Sequence, residues 1–306
     1  MSFLNVLAGI RTPALNQFML LISNLGTPYF AIAVFVWHYL NINKRDGCGI
    51  SLAFCFSNIL CQGAKIMIRM PRPWNLDPSF VCVEGAASSA TGYSLPSVHT
   101  QAIVSLAVSI ILLTKNTAVR VVSIIAMCLV MFSRMYLGVH TPLDVGTAFV
   151  LTLIVTVVSW RIWNRHDRAY SEDGLLSFFL PAFSVVLLIL TVTLLANGTI
   201  DYANAKDSLS MGATGIGISI GLMLEPRFAG FSNEGTFFRK IIRFLIAIVG
   251  SLAILKGIKA AAGTGIPVTV IRYLLTGIYA AFGAPMIAVL TGLSSRETPQ
   301  KKIPNI

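Results

Sequence analysis

The chain has 306 residues, 55% of them hydrophobic and only 11% charged. A soluble domain is about one quarter charged, so this composition excludes soluble enzyme folds and points to an integral, multi-spanning membrane protein. The 23 Lys and Arg outnumber the 12 Asp and Glu, a formal charge of +11. With no basic run and no aromatic stacking platform, that excess argues against nucleic acid and for basic cytoplasmic loops and an anionic substrate.

Residues 1–14 carry Leu4, Val6, Leu7 and Ile10 around Arg11, the pattern of a short interfacial helix without a cleavable leader. Apolar segments follow at about 16–40, 49–68, 98–114, 118–137, 144–163, 175–196, 209–224, 241–258 and 268–292. Each is close to the ~20 residues that cross the hydrocarbon, which predicts an all-α polytopic transmembrane bundle of about nine spans. The five cysteines (Cys48, Cys55, Cys61, Cys82, Cys128) are odd in number, four lie in apolar runs, and they form no disulfide or metal pattern.

Placing the loop 43–47 in the cytoplasm and alternating from there puts 14 of the 23 basic residues inside. They include Lys44, Arg45, Arg168, Arg227, Arg239, Lys240, Arg243, Lys301 and Lys302. The positive-inside bias then favours an external N-terminus and an internal C-terminus. The expected location is a plasma membrane, bacterial, with the functional site on the external face.

Ionisable groups at apolar runs are expensive and therefore functional candidates. Three segments concentrate them, and alternation puts all three on the same side. AKIMIRMPRPW (64–74) ends the second span with Lys65, Arg69 and Arg72. These cations and Arg134 have no carboxylate close in sequence to pair them all, and the arginine fork matches phosphate oxygens. Arg69 alone reads as an interface anchor. TGYSLPSVHTQ (91–101) opens the third span, where Pro96 and Ser97 signal a helix start with free N–H groups, a ready anion site holding His99 in its first turn. SRMYLGVHTPLD (133–144) carries His140 and Asp144 four residues apart at a Pro-marked helix start. There a carboxylate can orient the imidazole as nucleophile or base. His38 and His166 fall at the other membrane face, where bland interfacial roles suffice. His99, His140 and Asp144 could together suit zinc, but the neighbouring cations oppose a divalent ion, so no metal is expected.

These segments resemble the signature of the type-2 phosphatidic acid phosphatase superfamily: K-x6-R-P, then P-S-G-H, then S-R-x5-H-x3-D. Here they read Lys65-IMIRMP-Arg72-Pro73, Pro96-Ser97-Val98-His99 and Ser133-Arg134-MYLGV-His140-TPL-Asp144. The resemblance implies a phosphatase core over 1–196, in the first six spans, with additional transmembrane helices over 197–306. It further implies that Lys65, Arg72, Arg134, Ser97 and the backbone at Val98 hold the phosphate. His140 would attack phosphorus, Asp144 would orient it, and His99 would protonate the leaving oxygen, with no metal or cofactor. Val98 replaces the family's Gly: if that glycine has an ordinary helical φ, the N–H survives and only space is lost, and if it needs positive φ, activity is weakened; where valine crowds the cradle, Val98→Gly should raise activity.

The implied activity is a membrane phosphatase for lipid phosphates or isoprenyl pyrophosphates. One competing reading is a glucose-6-phosphatase-like hydrolase of soluble esters. The other is a non-catalytic lipid-binding or transport protein.

Overall fold

The computed structural model describes residues 1–165 and 175–297, and the expectations on His166, Arg168, Lys301 and Lys302 lie outside these described residues. Thirteen helices follow in order among the described residues: α1 (Ser2–Gly9), α2 (Pro13–Asn24), α3 (Pro28–Asn41), α4 (Lys44–Ile68), α5 (Pro73–Leu76), α6 (Val98–Leu113), α7 (Thr117–Tyr136), α8 (Pro142–Arg165), α9 (Leu175–Ala196), α10 (Tyr202–Leu224), α11 (Phe237–Ala262), α12 (Ile266–Ile278) and α13 (Ala284–Leu290). The sole extended pairing among them is an isolated bridge between Phe231 and Arg296. All nine predicted segments coincide with helix, and the chain opens with the short helix α1, which buries Leu4 and Leu7.

Among the described residues, seven stretches are long and apolar enough to cross a membrane on their own, and eight if α2 and α3 count as one. Two predicted spans therefore depart from the simple picture. The first is broken at Leu25-Gly26-Thr27, where α2 and α3 meet at a bend of 42°. The cause is local: Pro28 opens α3 and the Thr27 hydroxyl caps it by accepting from the Phe30 N–H. The third is α6, whose 16 residues amount to about 24 Å of helix, short of the hydrocarbon thickness. The last predicted span is continuous as α12, a π-helical turn at Tyr279–Gly283 and α13.

Buried polar contacts tie α4 to α6. Gln101 donates to Ser57 Oγ at 2.8 Å and Asn58 Nδ2 donates to Gln101 Oε1 at 3.0 Å, replacing partners that lipid cannot offer. The later helices pack through small residues: a Cβ built on Gly277 of α12 would lie 2.7 Å from the Thr214 carbonyl oxygen of α10. Glycine there lets the two backbones touch.

The antiparallel alternation puts the ends of α4 and α7 beside the starts of α6, α8, α10 and α12. At the opposite end, Lys44 Nζ pairs with Glu225 Oε1 at 2.9 Å and with Glu297 Oε2 at 3.2 Å. Arg243 donates there to the carbonyls of Ser232 and Glu234 at 2.8 and 2.9 Å. The loop charges assigned to one face by counting thus include two buried tethers, with Lys44 joining the first helices to the last.

Candidate active site

Each motif sits where a helix begins or stops. α4 ends because Arg69 adopts a left-handed backbone (φ 55°, ψ 35°) and Pro71 and Pro73 follow. This leaves Lys65 buried in the last turn and turns Arg72 back across the bundle end, while Arg69 stays exposed as expected. Ser97 caps α6, its Oγ accepting from the Thr100 N–H at 3.4 Å, so His99 lies in the first turn. Arg134 occupies the last turn of α7, His140 the loop after it, and Asp144 the first turn of α8. Lys65, Arg72, Ser97, His99, Arg134, His140 and Asp144 are all buried at this one end.

Arg72 is the hub. Its Nη1 donates to the Val139 carbonyl at 3.0 Å and lies 3.0 Å from His140 Nε2. Its Nε and Nη2 donate to the carbonyls of Gly92 and Thr91 at 3.0 and 2.6 Å. Lys65 Nζ donates to the same Thr91 carbonyl at 3.4 Å. Residues 77–97 therefore form a strap over the site. It is held further by the Val83 N–H on Leu137 O, the Ser94 N–H on Met70 O, and Arg11 on Val81 O.

Arg134 is fully buried, and its Nη1 donates to Ser23 Oγ at 2.5 Å and to Ser89 Oγ at 3.3 Å. Its Nε and Nη2 are buried without a hydrogen-bond partner among the described residues, as is His99 Nε2. A buried cation with open donors is costly unless an anion fills the space beside it.

Asp144 Oδ2 accepts from Ser94 Oγ at 2.6 Å and from the Thr141 N–H at 2.7 Å, and it faces His140 Nδ1 at 3.5 Å. The carboxylate is thereby fixed in front of one ring nitrogen. Burial, then the charges of Arg72, Arg134 and Lys65, holds the His140 imidazolium well below the ordinary histidine pKa. The ring is neutral at pH 7 and can act as a nucleophile.

Val98 is the first residue of α6 and takes ordinary negative φ, Arg69 being the one non-glycine with positive φ among the described residues. The position does not need glycine's backbone freedom, and its N–H remains at a helix start.

All eight predicted site residues meet here. Ser94, Ser23, Ser89, Thr91 and Thr141, which hold them, went unnoticed in the sequence. Thr91, Ser94 and Thr141 carried a signal, lying inside the motif segments 91–101 and 133–144, whereas Ser23 and Ser89 lie outside them.

Three buried cations and two buried histidines gathered at helix ends form a cluster whose open donors suit an anion, in a bundle of long apolar helices. Residues 46–168 match the model of the PAP2 superfamily, and residues 209–296 match that of the PAP2 superfamily phosphatase transmembrane extension. The chain belongs to the PAP2 superfamily. It is similar to undecaprenyl-diphosphatase of Sulfolobus acidocaldarius, 32% identical over 152 residues, covering 48% of this chain and 70% of that one. It is also similar to sphingosine-1-phosphate phosphatase 2 of Homo sapiens, 25% identical over 213 residues, covering 67% of this chain and 51% of the relative. A dihydrosphingosine 1-phosphate phosphatase of Schizosaccharomyces pombe is 23% identical over 229 residues, covering 69% of this chain and 53% of the relative. The chain spans about half the length of these two sphingoid-base phosphatases. No solved structure matches it.

Proposed function

We propose that the chain hydrolyses lipid phosphate monoesters or isoprenyl pyrophosphates at the membrane surface through a phosphohistidine on His140. The observation that carries this reading is Arg134, wholly buried with two open N–H positions beside two buried histidines. An anionic phosphoryl group satisfies those donors, and developing charge on its oxygens strengthens the contacts in the transition state.

Asp144 faces Nδ1, so Nε2 is the attacking nitrogen, and Arg72 Nη1, which lies 3.0 Å from it, releases its lone pair by turning to the phosphate oxygens. Lys65, Arg72, Arg134, Ser97 and the N–H of Val98 hold the non-bridging oxygens. The bond from phosphorus to the leaving oxygen breaks as the bond from Nε2 to phosphorus forms, and His99 delivers a proton to the departing alkoxide or phosphate. Water, giving its proton back to His99, then cleaves the phosphohistidine to inorganic phosphate. Residues 1–196 form the catalytic core, and 197–306 supply additional transmembrane helices. The site lies on the external face of the membrane, the side that the charge bias assigns to it.

The lipid preference rests on the short strap, which carries few groups to read a polyol, and on the printed names of the relatives, each a lipid phosphatase. Detergent-solubilised protein should release inorganic phosphate from long-chain lipid phosphates or isoprenyl pyrophosphates at least about tenfold more efficiently than from glucose 6-phosphate. Equal efficiency on the sugar ester promotes the soluble-ester reading, and no turnover on any substrate removes the enzyme. For the side, Ser88→Cys should be labelled from outside intact cells and Glu234→Cys should not, in a background without the five native cysteines.

A further inference from the structure

Lys65 and Arg72 are aimed by two backbone carbonyls, those of Thr91 and Gly92. What fixes those carbonyls decides where the cations point. Locally the strap does little: the Ala90 N–H bonds only back to Ala87 O, Gly92 takes a left-handed turn (φ 62°), and the Thr91 side chain is exposed. The next firm hold is the Ser94 N–H on Met70 O. Between these points, apart from the Lys65 and Arg72 contacts themselves, the hydrogen bond that reaches outside the strap among the described residues is Thr91 Oγ1 donating to Asp207 Oδ2 at 2.5 Å.

Asp207 belongs to α10, far along the chain from every signature motif and outside both matched regions, 46–168 and 209–296. Its helix is a firm support, since Asp201 Oδ1 caps it by accepting from the N–H and the side chain of Asn204 at 2.8 and 2.9 Å. The field of Asp207, with that of Asp144, reaches Arg72 and Lys65. The strap is thus pinned between the catalytic helices and the first helix of the transmembrane extension.

We propose that Asp207 is a positioning residue for phosphate binding: through the Thr91 hydroxyl it fixes the carbonyls that aim Lys65 and Arg72 at the substrate. The extension thereby completes the phosphate site as well as enlarging the bundle. This rests on the phosphatase reading for its substrate, yet it concerns the binding of phosphate itself, which can be measured without turnover.

The test uses the full detergent-solubilised chain and inorganic phosphate as probe. Binding is read from the phosphate-induced thermal shift and from competitive inhibition of lipid phosphate hydrolysis. Thr91→Val keeps the Asp207 charge and removes the hydrogen bond, whereas Asp207→Ala removes both. Each should weaken phosphate binding about tenfold, as expected for loss of one hydrogen bond to a charged group, with the unfolding temperature of the phosphate-free protein unchanged. The double variant should be no worse than either single one, and Thr91→Ser should restore binding towards the parent value. Parent-like binding in Thr91→Val, or a double variant about a hundredfold weaker, overturns the proposal. A parent that binds phosphate but releases none refutes the phosphatase reading alone. A parent that neither binds nor hydrolyses refutes both.

Discussion

The two ends of this bundle bury the same kind of residue and treat it in opposite ways. At one end Lys44 meets Glu225 and Glu297, and Arg243 meets backbone carbonyls of the loop it braces. At the other, Lys65 and Arg72 lean on carbonyls of a strap, and Arg134 meets two serine hydroxyls with Nε and Nη2 left open. Burying a cation costs several kcal/mol unless it is paired, so the first arrangement secures the fold and the second reserves its donors for a ligand. Burial alone therefore does not mark function in this membrane protein. The supply of partners does.

The comparison is broken most severely at the nucleophile. His140→Ala should lower phosphate release from a lipid phosphate by at least about a thousandfold, because it removes the imidazole that Asp144 orients for attack and leaves His99 without that partner. Radiolabel from a phosphorus-labelled substrate should then no longer be trapped on the protein by rapid quenching. Retained turnover in this variant ends the phosphohistidine mechanism.

Next come the cations of the two ends, which should fail differently. Arg134→Gln should cost about one hundredfold to one thousandfold in kcat, the usual size for a donor to developing oxyanion charge, while the protein stays folded. Lys44→Met should do the reverse. It strips Glu225 of a buried partner and should destabilise the chain by about 3–5 kcal/mol, with turnover per folded molecule kept. Adding Glu225→Gln should recover most of that loss. Thermal unfolding in detergent and active-site-normalised rates separate the two, and a pure stability defect in Arg134→Gln would erase the contrast.

Acid pH sharpens the same point more gently. Burial and three facing cations depress the His140 pKa, so the ring of the free enzyme is still unprotonated at pH 6.5, the ordinary histidine value, and protonates only at lower pH. The acid limb of kcat/KM, corrected for ionisation of the substrate phosphate, should therefore lie below pH 6.5. A limb at or above that value would mean the imidazole is not held neutral by its neighbours.

Much of this was readable from the chain because membranes punish polar residues, so the motif residues stood out against their apolar surroundings. The helices were equally plain, apart from the break at Leu25-Gly26-Thr27. A continuous apolar run hid it, although Thr before Pro is a helix-start signal. What could not be read was how the site is held. Ser23 and Ser89, which meet Arg134, and Asp207, which meets Thr91, are ordinary polar residues brought in from distant segments by tertiary packing. Lys44 counts in the sequence only as a loop charge, and its burial likewise comes from the return of Glu225 and Glu297 to its side.

The smallest effect is expected at Val98, where the sequence suggested a gain on restoring glycine. A family glycine replaced by a β-branched residue reads as crowding, or as lost access to positive φ, and either would make Val98→Gly activating. The residue instead opens α6 with negative φ and a half-buried side chain, directly after the Ser97 cap. Its N–H is one of the unbonded groups of the first helical turn whichever side chain it bears, so phosphate loses nothing there to valine. Glycine would add backbone freedom to the unfolded chain and cost about 0.5–1 kcal/mol of stability, a mild penalty at a helix start. Val98→Gly should therefore leave kcat/KM on a lipid phosphate within about threefold of the parent, below about 0.7 kcal/mol of barrier, and lower the unfolding temperature slightly. A tenfold rise would instead put the valine methyl groups in the path of the phosphate oxygens and restore the crowding argument.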